Sequence, residues 1–301
     1  MDDYLNVEDK IPLDIEVFNQ AMGGGLVKKA MILLMSNTNC GKTINMCHFA
    51  SSLVMSGIDT LYISGEESSS EILKKNDANL LDIDINTLNK AIDKNLFKSR
   101  FKSLFTKSHG RLIVKDFPTG SASTLHIKNL LLELKLKKGF VPTVVILDGL
   151  NNFASSKIPA SQAGTPIFVK NVAEEQRALA MEFDYALLSN AQFSKAAKAK
   201  NEKVDSEDVG EAYAISQCAD ASIALIQTDE LKEQGKYLIK TIKSRFGSKG
   251  KVFTVGINYD RMRLHNLSAD EQEIPLHLRD QLKAQQQKKN EKEESILFDF
   301  N

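Results

Sequence analysis

The sequence predicts an α/β fold in which a mostly parallel sheet is flanked by helices and extended by antiparallel strands towards its C-terminal end. Three observations predict it. Short apolar runs alternate with helix-period segments from residue 30 onward. Those runs are dense in Val, Ile and Leu, as strands covered on both faces require. Several of them end in a polar or acidic residue.

The elements follow in order. Ile11 to Leu26 carries apolar residues at helical spacing and stops at Gly23-Gly-Gly25, so residues 1–26 read as a lead helix. Strands are expected at Ala30 to Met35, Thr60 to Ser64, Arg111 to Asp116, Thr143 to Asp148, Tyr185 to Asn190, Ala221 to Gln227, Tyr237 to Arg245 and Val252 to Asn258. Short turns such as Phe246-Gly-Ser-Lys-Gly250 join the last of them, which favours antiparallel pairing there. Residues 27–267 form one core on this reading. From 268 to 301 the chain reads as a charged, flexible tail. Gln281 to Ser295 is almost wholly Gln, Lys, Glu and Asn, and it is followed by the apolar peptide Ile296-Leu-Phe-Asp-Phe300.

Composition sets limits on function. With 42% apolar and 26% charged residues, the 301-residue chain can bury one large core. Lys+Arg and Asp+Glu are both 39, so no bulk basicity advertises nucleic acid, and any such contact must come from local loops. The three cysteines, Cys40, Cys47 and Cys218, form no C-x-x-C pair, which argues against a zinc module or a disulfide framework. An acidic N-terminus and the lack of a bilayer-length apolar run predict a cytoplasmic protein with no membrane partner.

The most informative segment is Met31-Ile-Leu-Leu-Met-Ser-Asn-Thr-Asn-Cys-Gly-Lys-Thr43, an apolar strand running into Gly-Lys-Thr and then a helix expected from Ile44 to Ser56. This is the phosphate-binding P-loop arrangement. Gly41 lets backbone approach phosphates, and the amides from Asn39 and Cys40 to Thr43 point at them. Lys42 brings charge to the β- and γ-phosphates, and the Thr43 hydroxyl suits Mg²⁺. Ser36 stands where G-x-x-x-x-G-K-S/T has its first glycine; a small residue there is expected to preserve the turn.

Hydrolysis of ATP needs further groups. Val144-Val-Ile-Leu-Asp148 ends a buried strand in an acid, so Asp148 is the second metal-shell candidate; alone, such an Asp is equally a turn former or cap. Glu66, in Tyr62-Ile-Ser-Gly-Glu-Glu67, sits at a strand end facing the ligand crevice and is the candidate water activator. Glu67 and Glu71 read as acids favoured in the first turns of the next helix. Gln192 follows the strand at Tyr185 to Asn190 and is the candidate γ-phosphate sensor. Strand alternation puts Lys243 and Arg245 on one face, where two cations suit a phosphate, including one bound to a neighbouring subunit; an exposed strand end with solubilising charges is the ordinary alternative.

Together, Asn37 to Thr43, Leu61 to Glu66, Val144 to Asp148, Ala191-Gln192 and Lys243-Ser-Arg245 resemble the RecA-type motor domain of DnaB-family replicative DNA helicases, and within it the T-even bacteriophage type. Lys75 to Asp82, Gly110 to Lys115, Glu133 to Lys138, Glu175 to Ala180 and Asp208 to Ala212 support the likeness. It implies a RecA-like P-loop NTPase core and a hexameric ring that hydrolyses ATP with Mg²⁺ between subunits. It also implies 5′ to 3′ movement on single-stranded DNA. By residue match Lys42, Thr43 and Asp148 would hold nucleotide and metal, Glu66 would activate water, and Lys243 with Arg245 would act in trans. DNA would meet central loops: Asn151 to Thr165 with Lys157, and Phe193 to Ala214 with Lys195, Lys198, Lys200 and Lys203.

Primase, a helicase loader and, through residues 294–300, a sliding clamp are the partners this likeness suggests. The family's N-terminal domain and linker helix have no counterpart in this sequence, leaving a separate polypeptide, a fragment, or assembly through the motor alone. A RecA-like recombinase filament and a nucleotide-switched accessory subunit of a replisome are the competing functions.

Overall fold

The computed structural model of the chain describes residues 10–37, 40–89, 94–104, 109–192, 215–247 and 250–272. Asn39, Lys195, Lys198, Lys200, Lys203, the stretch Asp208 to Ala212 and the apolar peptide at 294–300 lie outside them.

Nine strands form one sheet: β1 (Met31–Ser36), β2 (Thr60–Ser64), β3 (Leu112–Asp116), β4 (Val144–Asp148), β5 (Ala186–Gln192), β6 (Ala221–Ile226), β7 (Lys236–Ser244), β8 (Val252–Asn258) and β9 (Arg263–His265). Their spatial order is β3-β2-β4-β5-β1-β6-β7-β8-β9. The pairs from β3 through β6 are parallel, and β7, β8 and β9 continue the sheet antiparallel. Eight expected strands are present with ends displaced by two residues at most. The three-residue β9 is too short to carry a periodic signal.

Around the sheet lie α1 (Glu16–Met22), α2 (Lys42–Met55), α3 (Ser69–Leu81), α4 (Ile85–Asn89), α5 (Lys94–Leu104), α6 (Thr124–Lys138), α7 (Pro166–Phe183) and α8 (Asp229–Glu233). Every residue of β1, β2 and β4 is buried. Strand alternation divides them between two cores. Ile32, Leu34, Tyr62, Val144 and Ile146 pack with α1 and α2 on one face. Met31, Leu33, Leu61, Ile63, Val145 and Leu147 pack with α6 and α7 on the other. Removing a Val, Leu or Ile side chain from water stabilises the fold by roughly 1.5–3 kcal/mol before entropy is counted, so double-sided burial is what selects parallel strands here.

The lead segment is helical over a shorter stretch than its spacing suggests. Ile11 and Leu26 pair in an antiparallel bridge, and Asn19 clasps Leu13 through both its backbone N–H (2.8 Å) and C=O (2.7 Å). These bonds and Pro12 keep residues 11–15 out of the helix, which starts only at Glu16. Val17, Phe18, Ala21 and Met22 of α1 are buried in the same apolar cluster as β1 and α2. Among the described residues no helix is long and apolar enough to cross a membrane.

Candidate nucleotide-binding site

The site grows from the carboxyl edge of the parallel strands, where the end of each strand delivers one group. β1 ends at Ser36, and the chain returns through Gly41 into α2, which begins at Lys42, two residues earlier than its apolar pattern predicts. Gly41 has φ +76° and caps the helix; a Cβ there would lie 3.2 Å from Ile257 Cδ1. The left-handed backbone and the close approach of β8 both call for glycine. With no residue before it in the helix, the first turn of α2 leaves its N–H groups directed at the cleft, where the helix dipole favours an anion.

Lys42 is nearly buried, and its Nζ donates to Ser36 Oγ (3.0 Å) and the Asn37 carbonyl (2.7 Å). Ser36 is wholly buried and its hydroxyl donates in turn to the Asn37 carbonyl at 2.8 Å. The residue that departs from the glycine pattern is therefore the last of β1 and a support for the lysine.

A cleft of about 450 Å³ is lined by Gly41, Lys42, Thr43, Glu66 and Gln192, all anticipated from sequence. Ile44, Glu67, Lys232 and Tyr259 complete its lining. Glu67 thus faces the cleft and pairs with Lys75, while α3 begins later, with Ser68 as its cap; Glu71 alone occupies the first turn as expected. The Ser64 hydroxyl explains the turn: it accepts from the backbone N–H groups of Glu66 (3.3 Å) and Glu67 (2.9 Å), folding the chain over the end of β2.

Asp148 is fully buried at the end of β4 and does not line the cleft. Tyr62 donates its hydroxyl to Asp148 Oδ2 at 2.6 Å, and the Asn190 amide nitrogen donates to Oδ1. The Asn190 amide oxygen accepts from Gly149 N–H at 2.7 Å, which fixes the amide's orientation. Burial pushes the Asp148 carboxyl above its ordinary value despite these two donors. Glu66 is raised as well, first by burial and then by the negative charge of Asp148, with Lys42 opposing. Gly149, at φ +87°, leaves room for Glu66, whose Cγ would lie 2.8 Å from a Cβ there.

Gln192 ends β5 beside Ser36, and its backbone N–H donates to Asn151 Oδ1 at 3.1 Å. That bond ties the strand end to the loop bearing Lys157. Lys157 is exposed, and its loop is rooted in α7, where Glu175 accepts from the Ser156 N–H (2.8 Å).

Lys243 and Arg245 stand elsewhere. Ser222 pairs with Lys243 and Ile226 with Leu238, so the two cations lie at the amino edge of β6, opposite the cleft. At ~3.3 Å per residue the strand separates them from their own cleft by roughly 20 Å. Lys243 Nζ donates to the Gln217 carbonyl (2.6 Å) and Arg245 Nη1 to Asp220 Oδ1 (2.9 Å). Burial, and after it the neighbouring Arg245, lower the Lys243 ammonium below the ordinary lysine value.

Sequence reasoning missed Tyr259, Lys232, Lys75, Tyr62 and Asn190. The last two were legible only as strand residues. Tyr259 reaches the cleft because antiparallel β8 ends at the edge where β1 ends, and Gln227 donates to its hydroxyl. Only strand direction reveals that.

Chemically, the arrangement offers helix-terminal N–H groups and an ammonium for phosphates, a raised carboxyl able to take a proton, and an aromatic ring at the cleft margin. Residues 11–266 match the model of the DnaB-like helicase C terminal domain. Over 271 residues, 89% of this chain, the sequence is 35% identical to the DnaB-like replicative helicase of Enterobacteria phage T4, and it spans 57% of that protein's length. A stretch of 63 residues, 21% of this chain and 14% of the relative, is 40% identical to the DNA repair protein RadA of Rickettsia conorii.

Two solved structures share the fold. A DnaB-like replicative helicase, studied with its interactions with primase, superposes with a TM-score of 0.70 at 14% identity, covering 89% of this chain and 64% of that one. A second structure, of an ATPase domain by itself, gives 0.71 at 15% identity, covering 89% of this chain and 94% of that one. The cleft, the strand order and the family match converge: this chain belongs to the DnaB-like helicase C-terminal domain family.

Proposed function

We propose that the chain is the ATP-hydrolysing motor of a replicative DNA helicase, working as a ring of identical copies that moves 5′ to 3′ along single-stranded DNA in the cytoplasm. The observation that carries this reading is the separation of two half-sites on one sheet. The phosphate loop, Glu66 and Gln192 share one edge, while Lys243 and Arg245 occupy the other. A cation pair that cannot reach its own cleft suits a neighbour's, so the complete site forms between copies.

In this reading Lys42 and the first-turn N–H groups of α2 bind the β- and γ-phosphates. Glu66 takes a proton from the attacking water, whose oxygen bonds the γ-phosphorus as the bond to the β-phosphate oxygen breaks, giving ADP and phosphate. Gln192 senses the γ-phosphate, and Arg245 with Lys243 stabilise the charge that builds on the transferring group.

The residues present fit Mg²⁺. Glu66 and Asp148 are both raised by burial and raise or are raised by neighbouring carboxylates, an excess of negative potential that a cation relieves. Among the described residues no cluster of His, Cys, Asp and Glu forms a metal cage, in keeping with an ion held mostly by phosphates and water. Thr43, which lines the cleft, would hold it, Asp148 buried behind the cleft would add negative charge, and when bound the ion would neutralise phosphate charge. Lys157 and the lysines at 195, 198, 200 and 203 would track the DNA backbone. A primase, a loader and a clamp are candidate partners.

The test is the steady-state ATPase rate across protein concentration, with and without single-stranded DNA, for the wild type and Arg245→Ala. Stimulation by DNA, a steep rise with concentration and collapse in the variant are expected. A slow rate indifferent to all three would sink the reading and leave a nucleotide-switched accessory subunit in its place.

A further inference from the structure

Arg245 is docked on a single residue. Its backbone N–H donates to the Asp220 carbonyl (3.0 Å) and its Nη1 to Asp220 Oδ1 (2.9 Å). Asp220 is only 3% exposed, and its carboxylate is held without help from Arg245: the Met31 N–H donates to Oδ2 at 2.9 Å, and Arg177 of α7 donates with Nε and Nη2 to the two oxygens, each at 2.8 Å. Burial alone would raise this carboxyl, but the Arg177 hydrogen bonds, the Met31 amide and the charges of both arginines outweigh it.

The carboxylate is therefore fixed by a strand on one side and a helix on the other. Arg245, by contrast, is 57% exposed, and one anchored N–H leaves most of its five-donor fork at the surface.

We propose that the buried Asp220–Arg177 pair positions Arg245, holding its guanidinium at the amino edge of the sheet in the orientation that the nucleotide of a neighbouring copy requires. This inference rests on the trans role assigned to Arg245 above. Its physical content is preorganisation. An unanchored arginine on a long stem must lose rotamer freedom whenever it meets phosphate, whereas one pinned at its head does not. Asp220 and Arg177 touch no substrate and act only through Arg245.

Subunit mixing tests it. Lys42→Ala copies lack a working phosphate loop but carry an intact Arg245. Asp220→Asn and Arg177→Ala copies carry an intact loop but a poorly held arginine; the second leaves the Met31 bond in place, so it guards against a folding defect in the first. Alone, each positioning variant should lose turnover by about 10- to 100-fold with KM for ATP nearly unchanged, the scale for a misplaced catalytic contact. Arg177→Lys should recover part of the loss.

Mixed with Lys42→Ala copies, both should regain ATPase activity well above the sum of the separate components, and Arg245→Ala should do the same as the control. If Arg245→Ala is complemented but the Asp220 and Arg177 variants are not, their defect is internal and the positioning role is overturned. If Arg245→Ala itself is not complemented, the trans assignment fails, and this inference with it.

Discussion

His48 donates from Nε2 to Asp14 Oδ1 at 3.1 Å, and the same ring fixes its own tautomer because Nδ1 accepts from the Leu264 N–H (3.2 Å) and the Asn79 amide (3.0 Å). One buried imidazole on α2 thereby joins the segment ahead of α1, the helix α3 and the last strand, β9. The two ends of the described chain are clamped to the helix that follows the phosphate loop.

His48→Ala should lower stability by about 2–4 kcal/mol, because it leaves a cavity and two buried N–H donors without acceptors. Asp14→Ala, half-exposed at its side chain, should cost about 0.5–1 kcal/mol. Urea melts read both, and equal losses would contradict the ranking. Burial pushes the Asp14 carboxyl up, but the hydrogen bond donated by His48, with a further one from Ser52, brings it below its ordinary value overall. A lowered folded value means its contribution is complete above the unfolded value and fades as pH falls through the folded one, so the Asp14 variant should converge on wild-type stability only in strong acid.

Asp148→Asn should separate stability from activity. The ionised carboxylate is buried and raised above 3.8, so its charge opposes folding at neutral pH, and removing it should leave the melting temperature equal or higher. Hydrolysis should fall about a hundredfold or more, the scale for one preorganised charged group. A large drop in melting temperature would show that the Tyr62 and Asn190 bonds, not the charge, dominate there.

The rate should carry an acid limb set by Glu66. Burial, then Asp148, raises its carboxyl above the ordinary value of 4.5. A base must be ionised, so kcat/KM should decline as pH drops through that raised value, earlier than for an exposed glutamate. Glu66→Gln should flatten the limb and cut kcat about 10²- to 10⁴-fold while ATP still binds. An unchanged limb in the variant would move the base elsewhere, Glu67 being next in line.

Tyr259→Ala should raise KM for ATP about tenfold with kcat retained, since a ring at the cleft margin offers stacking worth about 1–3 kcal/mol per base. Tyr259→Phe, keeping the ring but losing the Gln227 hydrogen bond, should sit near wild type. Titrations with ATP and GTP would read both effects, and equal behaviour of the two variants would remove the ring from recognition.

Asn151→Ala should weaken DNA stimulation more than basal hydrolysis. Its side chain accepts from the Gln192 N–H and so links the loop bearing Lys157 to the strand end in the cleft. Measured as the ratio of DNA-stimulated to basal ATPase, a severalfold fall is expected; equal loss in both conditions would make Asn151 merely structural.

The alternation of buried apolar runs with helices was legible because a strand covered on both faces must be apolar throughout, and the strand–loop–helix around Gly41 was legible because phosphate binding demands a fixed local order of residue types. Glu66 could be read from its place at a strand end. Glu67 was misread as a helix-turn acid because the Ser64 hydroxyl, bonding two successive amides, turns the chain one residue further than propensity suggests. Tyr259 and Lys232 were invisible, being brought to the cleft by antiparallel strands and a short helix with no motif of their own.

The sequence by itself determined the elements, the parallel character of the core and the strand–loop–helix whose Gly41, Lys42 and Thr43 line the cleft, because these follow from local spacing and from burial of apolar side chains. Only the tertiary structure decided which groups share an edge. It sent Lys243 and Arg245 to the far side of the sheet from Lys42, since β7 runs against β6, and it seated Arg245 on a carboxylate that Arg177, from a distant helix, had already fixed. Strand direction and long-range pairing are global properties, settled by how whole faces pack, and no local pattern encodes them.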